Sequence, residues 1–183
     1  MKPAFIRHSP AREAQIQRRM LDALESRFRR KIAATIREES EQLVSGYRDL
    51  GYVPAATDND FRAFRDVYLD IGQVSARAFG SRIVNQGKAA GLILETKISF
   101  TDLFLSLATQ WINLEPIRRR ITSVTETTRE QIVRQVARGQ DEGLGVEAIA
   151  KRINKAVPQI SRTRGALIAR TELHSAANYS MHE

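Results

Sequence analysis

The sequence predicts an all-α protein of elongated form, with a long N-terminal helix and a compact C-terminal helical domain. Two observations indicate this fold class. Apolar residues recur at intervals of three or four along nearly every long segment, which is the period of an amphipathic helix. Residues that interrupt helices are few, since the 183 residues include only five prolines and ten glycines.

The first helix is expected to begin near Ala11, just after Pro10, and to run towards Leu50. At about 100° per residue, its apolar side chains form one broad stripe that comprises Leu21, Leu24, Phe28, Ile32, Ile36 and Leu43. On the opposite side, spacings of 7, 11 and 7 residues align four arginines within about 20° of each other, namely Arg12, Arg19, Arg30 and Arg37. The helix therefore combines a packing side with an arginine ridge.

The positive charge of the chain is concentrated in the same region. Residues 1–37 contain ten Lys/Arg against three Asp/Glu, which is +7 of the total formal charge of +8. A basic segment of this kind favours a polyanionic partner, such as DNA, RNA or an acidic protein face. A solvated helix face that only keeps the protein in solution is the alternative, and charge alone leaves both open. The predicted contact residues are Arg12, Arg19, Arg27, Arg30 and Arg37.

A loop is expected after the first helix because residues 51–59 begin with Gly51 and contain Pro54. Asp58 or Asp60 is expected to cap a second helix that extends to about Asn85 and has a wide, aromatic-rich apolar face. Residues 86–100 are compatible with a short strand, a turn or an extended connection. We place the domain boundary there, with a basic N-terminal helical region over residues 1–98 and a C-terminal helical domain over residues 99–183.

A third helix is expected from Asp102 to about Ile112, capped by Thr101 or Ser99. Its apolar residues cover it on nearly every side. Such a helix is either central to the core or buried against another subunit, and both interpretations remain open. The second interpretation predicts a protein interface formed by Phe104, Leu107 and Trp111.

Three helical segments are expected in the remainder of the chain. The first runs from Glu115 to Gly139. A polar loop then leads to a short helix over residues 146–157, which Pro158 is expected to stop. Ser161 is a suitable N-cap for a last helix that begins at Arg162.

Arg170 and Glu172 in the last helix are two residues apart and therefore point about 200° away from each other. We expect them to reach different neighbouring helices. The alanines around Arg170 allow another helix to approach closely, so this arginine needs an acidic or carbonyl partner there. The candidate partners are Glu126, Glu130 and Glu147.

The C-terminal part of the chain contains several motifs whose order is similar to that of a known protein family. An amphipathic helix after Ile121 is followed by a glycine-rich turn, by Val-Glu-Ala-Ile-Ala-Lys-Arg-Ile at residues 146–153, and by Ile-Ala-Arg-Thr-Glu at residues 168–172. Over residues 117–183 this order resembles the phage Mu F-like minor head proteins, a phage head morphogenesis family. The residues matched to its motif are Arg164, Arg170, Thr171, Glu172 and Asn178.

The resemblance implies a structural virion protein of a tailed bacteriophage, a minor capsid protein associated with the portal. It implies roles in head morphogenesis and in DNA packaging or ejection, without enzyme activity. The implied partners are the phage portal protein, packaged double-stranded DNA and other copies of the chain. The implied location is the head interior near the portal, and the host cytoplasm during assembly. Family members usually continue into a further segment, so the resemblance implies either a naturally shorter protein or a truncated domain.

Composition and spacing exclude several classes of site. The chain has no cysteine, so it has no disulfide, thiolate metal site or cysteine nucleophile. No stretch approaches the roughly 18 consecutive apolar residues of a membrane span, and we expect no membrane partner. His174 and His182 lie about 12 Å apart along a helix, too far to share a zinc ion as an i,i+4 pair does. We therefore expect no metal, no cofactor and no enzyme. The alternative function is nonspecific DNA binding through the first helix.

Overall fold

The computed structural model describes residues 9–89 and 99–182, and the regular structure within these ranges is entirely helical. The all-α prediction is therefore confirmed for the part of the chain that is described. A π-helical segment, Ala76–Gly80, joins the second and third helices without a break. The α-helices are α1 (Pro10–Leu50), α2 (Asp58–Ser75), α3 (Ser81–Ala89), α4 (Phe100–Asn113), α5 (Glu115–Asp141) and α6 (Val146–His182).

Helix α1 has the bounds that the sequence predicts, and local signals explain both ends. The Ser9 hydroxyl accepts a hydrogen bond from the Arg12 backbone N–H at 3.4 Å, and Pro10 occupies the first turn. Gly51 ends the helix with a φ of 77°, a left-handed conformation that glycine adopts without strain. With 41 residues, α1 is about 60 Å long.

The N-cap of α2 lies one residue before Asp58 and three before Asp60, the two predicted caps. Its N-cap is Thr57, and the Asp60 carboxylate accepts hydrogen bonds from the Thr57 backbone N–H at 2.6 Å and from its hydroxyl at 2.7 Å. Asp58 and Asp60 lie in the first turn, so the prediction of either as N-cap is wrong. The helix continues through the π-helical segment into α3, which makes residues 86–89 helical. The rest of the predicted connection, residues 90–98, lies outside the described residues.

Helix α6 contradicts the predicted division into a short helix and a last helix. Pro158 lies inside a continuous helix, and Ser161 does not cap anything, since its hydroxyl donates to the Pro158 carbonyl at 3.1 Å. A proline within a helix costs about 3 kcal/mol because it lacks a backbone N–H donor. Val157 and Ser161, on either side of the proline, are both buried. Packing on both sides of Pro158 thus outweighs the local penalty.

Two clusters of buried side chains form the interior, and helices α1, α5 and α6 contribute to both of them. The larger cluster also includes residues of α2 and α4, among them Phe64, Tyr68 and Trp111. Its members come from both sides of the boundary predicted between residues 1–98 and 99–183. These two predicted regions therefore share one hydrophobic core instead of forming separate packing units.

Helix α6 makes its most extensive contact with α1, and Gly165 of α6 lies close to the α1 backbone. A Cβ atom at that position would lie 2.9 Å from the Arg29 carbonyl oxygen and 3.1 Å from the Ala33 Cβ. The absence of a side chain at residue 165 therefore sets how closely the two helices pack. Within the described ranges, no helix is long and apolar enough to cross a membrane.

Candidate functional site

Four of the predicted contact residues lie along one exposed side of α1, which we call the arginine face: Arg12, Arg19, Arg30 and Arg37. The rotation of α1 that exposes them is fixed by its opposite side, where Phe28, Ile32 and Ile36 are fully buried in the larger cluster. None of the four guanidinium groups has an ion-pair partner among the described residues. The arginine face spans about 37 Å of helix.

Arg27 differs from the other predicted contact residues. Its guanidinium lies over the Phe28 ring, 5.2 Å from the ring centroid, and its Nη2 is 3.6 Å from the Asp70 Oδ2. The same carboxylate oxygen accepts a hydrogen bond from the Lys31 Nζ at 2.6 Å. Because its guanidinium is engaged by Asp70 and the Phe28 ring, Arg27 does not belong to the arginine face.

The arginine face ends after Arg37. The next exposed residue along its line is the acidic Glu41, one helical turn further on. Arg48, near the end of α1, forms an ion pair at 3.3 Å with Glu147 in the first turn of α6. The unpaired positive charge of α1 is thus confined to its first three quarters.

The three residues predicted to form a protein interface lie on α4. Phe104 and Trp111 are buried within the chain itself, and Leu107 is half-buried. The Trp111 ring stacks on Tyr68 with 6.2 Å between centroids, and its Nε1 donates to the Ser175 hydroxyl at 3.3 Å. Of the two interpretations of α4, the structure therefore favours the core of the same chain for these side chains.

The residues of the C-terminal motif divide into interior and surface positions. Glu172 is buried and its carboxylate lies 2.8 Å from the Arg120 Nε of α5. Arg170 is exposed and pairs with Glu25 of α1, with Nε and Nη2 at 3.3 and 3.2 Å from the two carboxylate oxygens. The two side chains reach different helices, as expected from their spacing. The partner of Arg170 is none of Glu126, Glu130 and Glu147, so that prediction is wrong.

Arg164 is a half-buried motif residue that joins two helices. Its Nη1 donates to the Thr128 hydroxyl at 2.7 Å and its Nη2 to the Val124 carbonyl at 3.1 Å, which joins α6 to α5. Burial lowers its pKa, while the nearby Glu39 carboxylate opposes that shift. Thr171 and Asn178, the other motif residues, are exposed on α6.

Glu39 of α1 is the acidic member of this interior network. Burial raises its pKa to about 8, with a further increase from Asp60, while a hydrogen bond with Thr128 and the charge of Arg164 act in the opposite direction. Sequence reasoning missed Glu39, although a signal existed. At 100° per residue it lies in the middle of the apolar stripe of α1, directly opposite Arg12.

A second buried group surrounds Glu172. Burial raises the pKa of its carboxyl group, and the charge of Arg120 opposes the shift. Burial and the neighbouring Glu172 also raise the pKa of the Tyr68 hydroxyl. Both networks lie between helices, so they position α1, α2, α5 and α6 relative to each other. The described residues include no group of three or more His, Cys, Asp or Glu that could hold a metal ion.

Comparisons of the chain with protein-family models, with curated proteins and with solved structures gave no match. The resemblance of residues 117–183 therefore depends on their motif order alone. Of the surfaces predicted from the sequence, the arginine face is exposed and has no ion-pair partner in the part of the chain that the structure describes. It is the candidate functional site of the chain.

Proposed function

We propose that the chain is a structural minor head protein of a tailed phage, associated with the portal vertex inside the head. In this role it acts in head morphogenesis and in DNA packaging or ejection. The motif order of residues 117–183 supports the family. The observation that carries the mode of action is the arginine face, four exposed arginines without ion-pair partners among the described residues.

The arginine face suits a long, regular anion. Its length of about 37 Å is close to one turn of duplex DNA, and its guanidinium groups can each hold a phosphate or a carboxylate through two parallel hydrogen bonds. The buried side of α1 keeps the helix in place, so binding does not require α1 to fold first. Either an acidic surface of the portal or the phosphate backbone of packaged DNA meets these requirements.

Comigration with the portal tests the assembly role. The purified chain is mixed with its portal oligomer and analysed by size-exclusion chromatography. The expected result is comigration that is lost when Arg12, Arg19, Arg30 and Arg37 are all replaced by alanine. A control variant loses the same number of charges on other helices, at Arg119, Arg134, Arg138 and Arg162, and should still comigrate. No association of the unmodified chain would refute the portal role.

Nonspecific DNA binding is the second candidate, favoured by the same four arginines. It predicts that the logarithm of the affinity falls linearly with the logarithm of salt concentration. Four phosphate contacts give a slope of about −3.6. The alanine variant of the arginine face should lose most of this slope, and the control variant should keep it. Binding that does not respond to salt, or equal slopes for both variants, would exclude the arginine face as the DNA contact.

A further inference from the structure

A second basic surface lies in a groove between α2 and α5, closed at one end by the C-terminal turn of α4. Its volume is about 610 Å³, within the range of pockets that hold a compact ligand. Three arginines line it: Arg62 and Arg65 from α2, and Arg118 from α5. Sequence reasoning did not single them out, because they are far apart along the chain and meet only through the packing of α2 against α5.

The three arginines of the groove are exposed, and none has an ion-pair partner among the described residues. Neighbouring surface arginines of α5 differ, since Arg119 pairs with Glu115 at 2.9 Å and Arg134 with Glu130 at 3.0 Å. Asp58 is the one carboxylate that lines the groove. Three guanidinium groups against one carboxylate leave an excess of positive charge, which a bound anion would neutralise.

The remaining lining of the groove is partly apolar. Phe61 is half-buried, and the buried side chains of Ile112 from α4 and Ile121 from α5 also line the groove. Asn113 and Thr122 add uncharged polar groups at the edge. The groove thus offers guanidinium groups together with an apolar floor, and its ligand should carry both negative charge and an apolar group.

We propose that this groove binds an acidic segment of a partner protein. Carboxylates of the segment pair with Arg62, Arg65 and Arg118, and an apolar side chain between them covers Phe61. The backbone of duplex DNA has no apolar group for the floor. Single strands are bound by successive exposed aromatic rings, whereas this groove has one half-buried ring. The inference does not depend on the proposed function, because the groove and the arginine face share no residue.

Fluorescence anisotropy tests the proposal with a defined probe. The probe is a fluorescein-labelled peptide in which glutamates flank a central leucine. Two matched peptides replace the glutamates by glutamine or the leucine by glycine. The unmodified chain should bind the probe, and both replacements should weaken binding, by about tenfold for the glutamine peptide. Equal binding of all three peptides, or no binding of the probe, would overturn the proposal.

Two sets of variants locate the binding. Arg62→Ala, Arg65→Ala and Arg118→Ala together should weaken probe binding by about tenfold or more. The control replaces three arginines outside the groove, Arg134, Arg138 and Arg162, and should bind normally. All of these side chains are exposed, and unchanged circular dichroism melting curves would verify that the variants fold. Equal losses in both sets would mean that the probe responds to net charge alone, which would refute the groove.

The same variants separate this proposal from the proposed function. Alanines in the groove should leave the salt dependence of DNA binding unchanged, whereas alanines in the arginine face should leave probe binding unchanged. A different outcome is that DNA, duplex or single-stranded, competes with the probe for the unmodified chain and fails to bind the groove variant. In that case the ligand is a nucleic acid and the peptide assignment is wrong. If the variant of the arginine face loses the probe, the acidic segment binds α1 instead of the groove.

Discussion

Replacing Glu39 by glutamine removes a carboxylate that is 5% exposed and lies in the interior between α1, α5 and α6. Glutamine keeps the size of the side chain and an oxygen that can accept the hydrogen bond of Thr128. Arg164 keeps its hydrogen bonds to Thr128 and to the Val124 carbonyl. The substitution therefore removes the titratable group of the site and changes little of its packing.

The size of the effect follows from the pKa of Glu39, which is raised from 4.5 to about 8 in the folded protein. Between these values the folded chain holds a proton that the unfolded chain has lost, so the free energy of unfolding decreases as the pH rises. One pKa unit corresponds to about 1.4 kcal/mol. From about pH 5 to about pH 9, Glu39 should lower the free energy of unfolding by about 4 kcal/mol.

Urea denaturation followed by circular dichroism over this pH range measures the difference. We expect Glu39→Gln to lack this decrease and to be several kcal/mol more stable than the unmodified chain at about pH 9. The matched control is Glu38→Gln, which changes the neighbouring exposed glutamate and should behave like the unmodified chain. Parallel pH profiles for the unmodified chain and Glu39→Gln would refute the assignment of a buried, protonated carboxyl.

Substitutions at helix contacts give further predictions, measured as changes in the free energy of unfolding by urea. Gly165→Ala should cost about 1–3 kcal/mol, because the new Cβ meets the backbone of α1, whereas Gly145→Ala, with no atom within 4 Å, should cost less than about 0.5 kcal/mol. Arg170→Ala should cost less than about 1 kcal/mol, since the side chain is 69% exposed. Glu172→Ala should cost about 3 kcal/mol because it leaves Arg120 without its carboxylate partner. Equal losses of unfolding free energy for Gly165→Ala and Gly145→Ala, or for Arg170→Ala and Glu172→Ala, would contradict these contacts.

The features that the sequence predicted well are those determined by local periodicity and capping. The apolar stripe of α1 extends from Leu21 to Leu43 with Glu39 as an acidic residue within it, and Gly51 follows as a strong helix stop. These signals predicted both the bounds of the helix and which of its sides is buried. The exposure of the arginine face follows from the same stripe, because the two lie on opposite sides of one helix.

Tertiary packing explains the features that sequence reasoning missed. Pro158 carries a local penalty that predicts a helix end, but burial of Val157 and Ser161 exceeds it. The predicted partners of Arg170 lie on α5 and at the start of α6. Its observed partner, Glu25, lies on α1, which is distant in the sequence. Such pairings depend on which helices meet, and the periodicity of a single helix contains no information about its neighbours.

The arginines discussed above have two different environments. The partly enclosed ones contribute to stability, and the exposed ones are available for binding. Arg164 and Arg120 are partly enclosed, with hydrogen bonds or a carboxylate partner, and their replacement should act on stability. Among the described residues, the side chains of the arginine face and of the groove have neither, so their replacement should act on binding while the fold persists. Because Arg164 and Glu172 hold helices together, the C-terminal motif carries information about the fold, and assignment of a function depends on the exposed arginines. A variant of the arginine face that melts normally and no longer binds DNA or portal would be the result that this division requires.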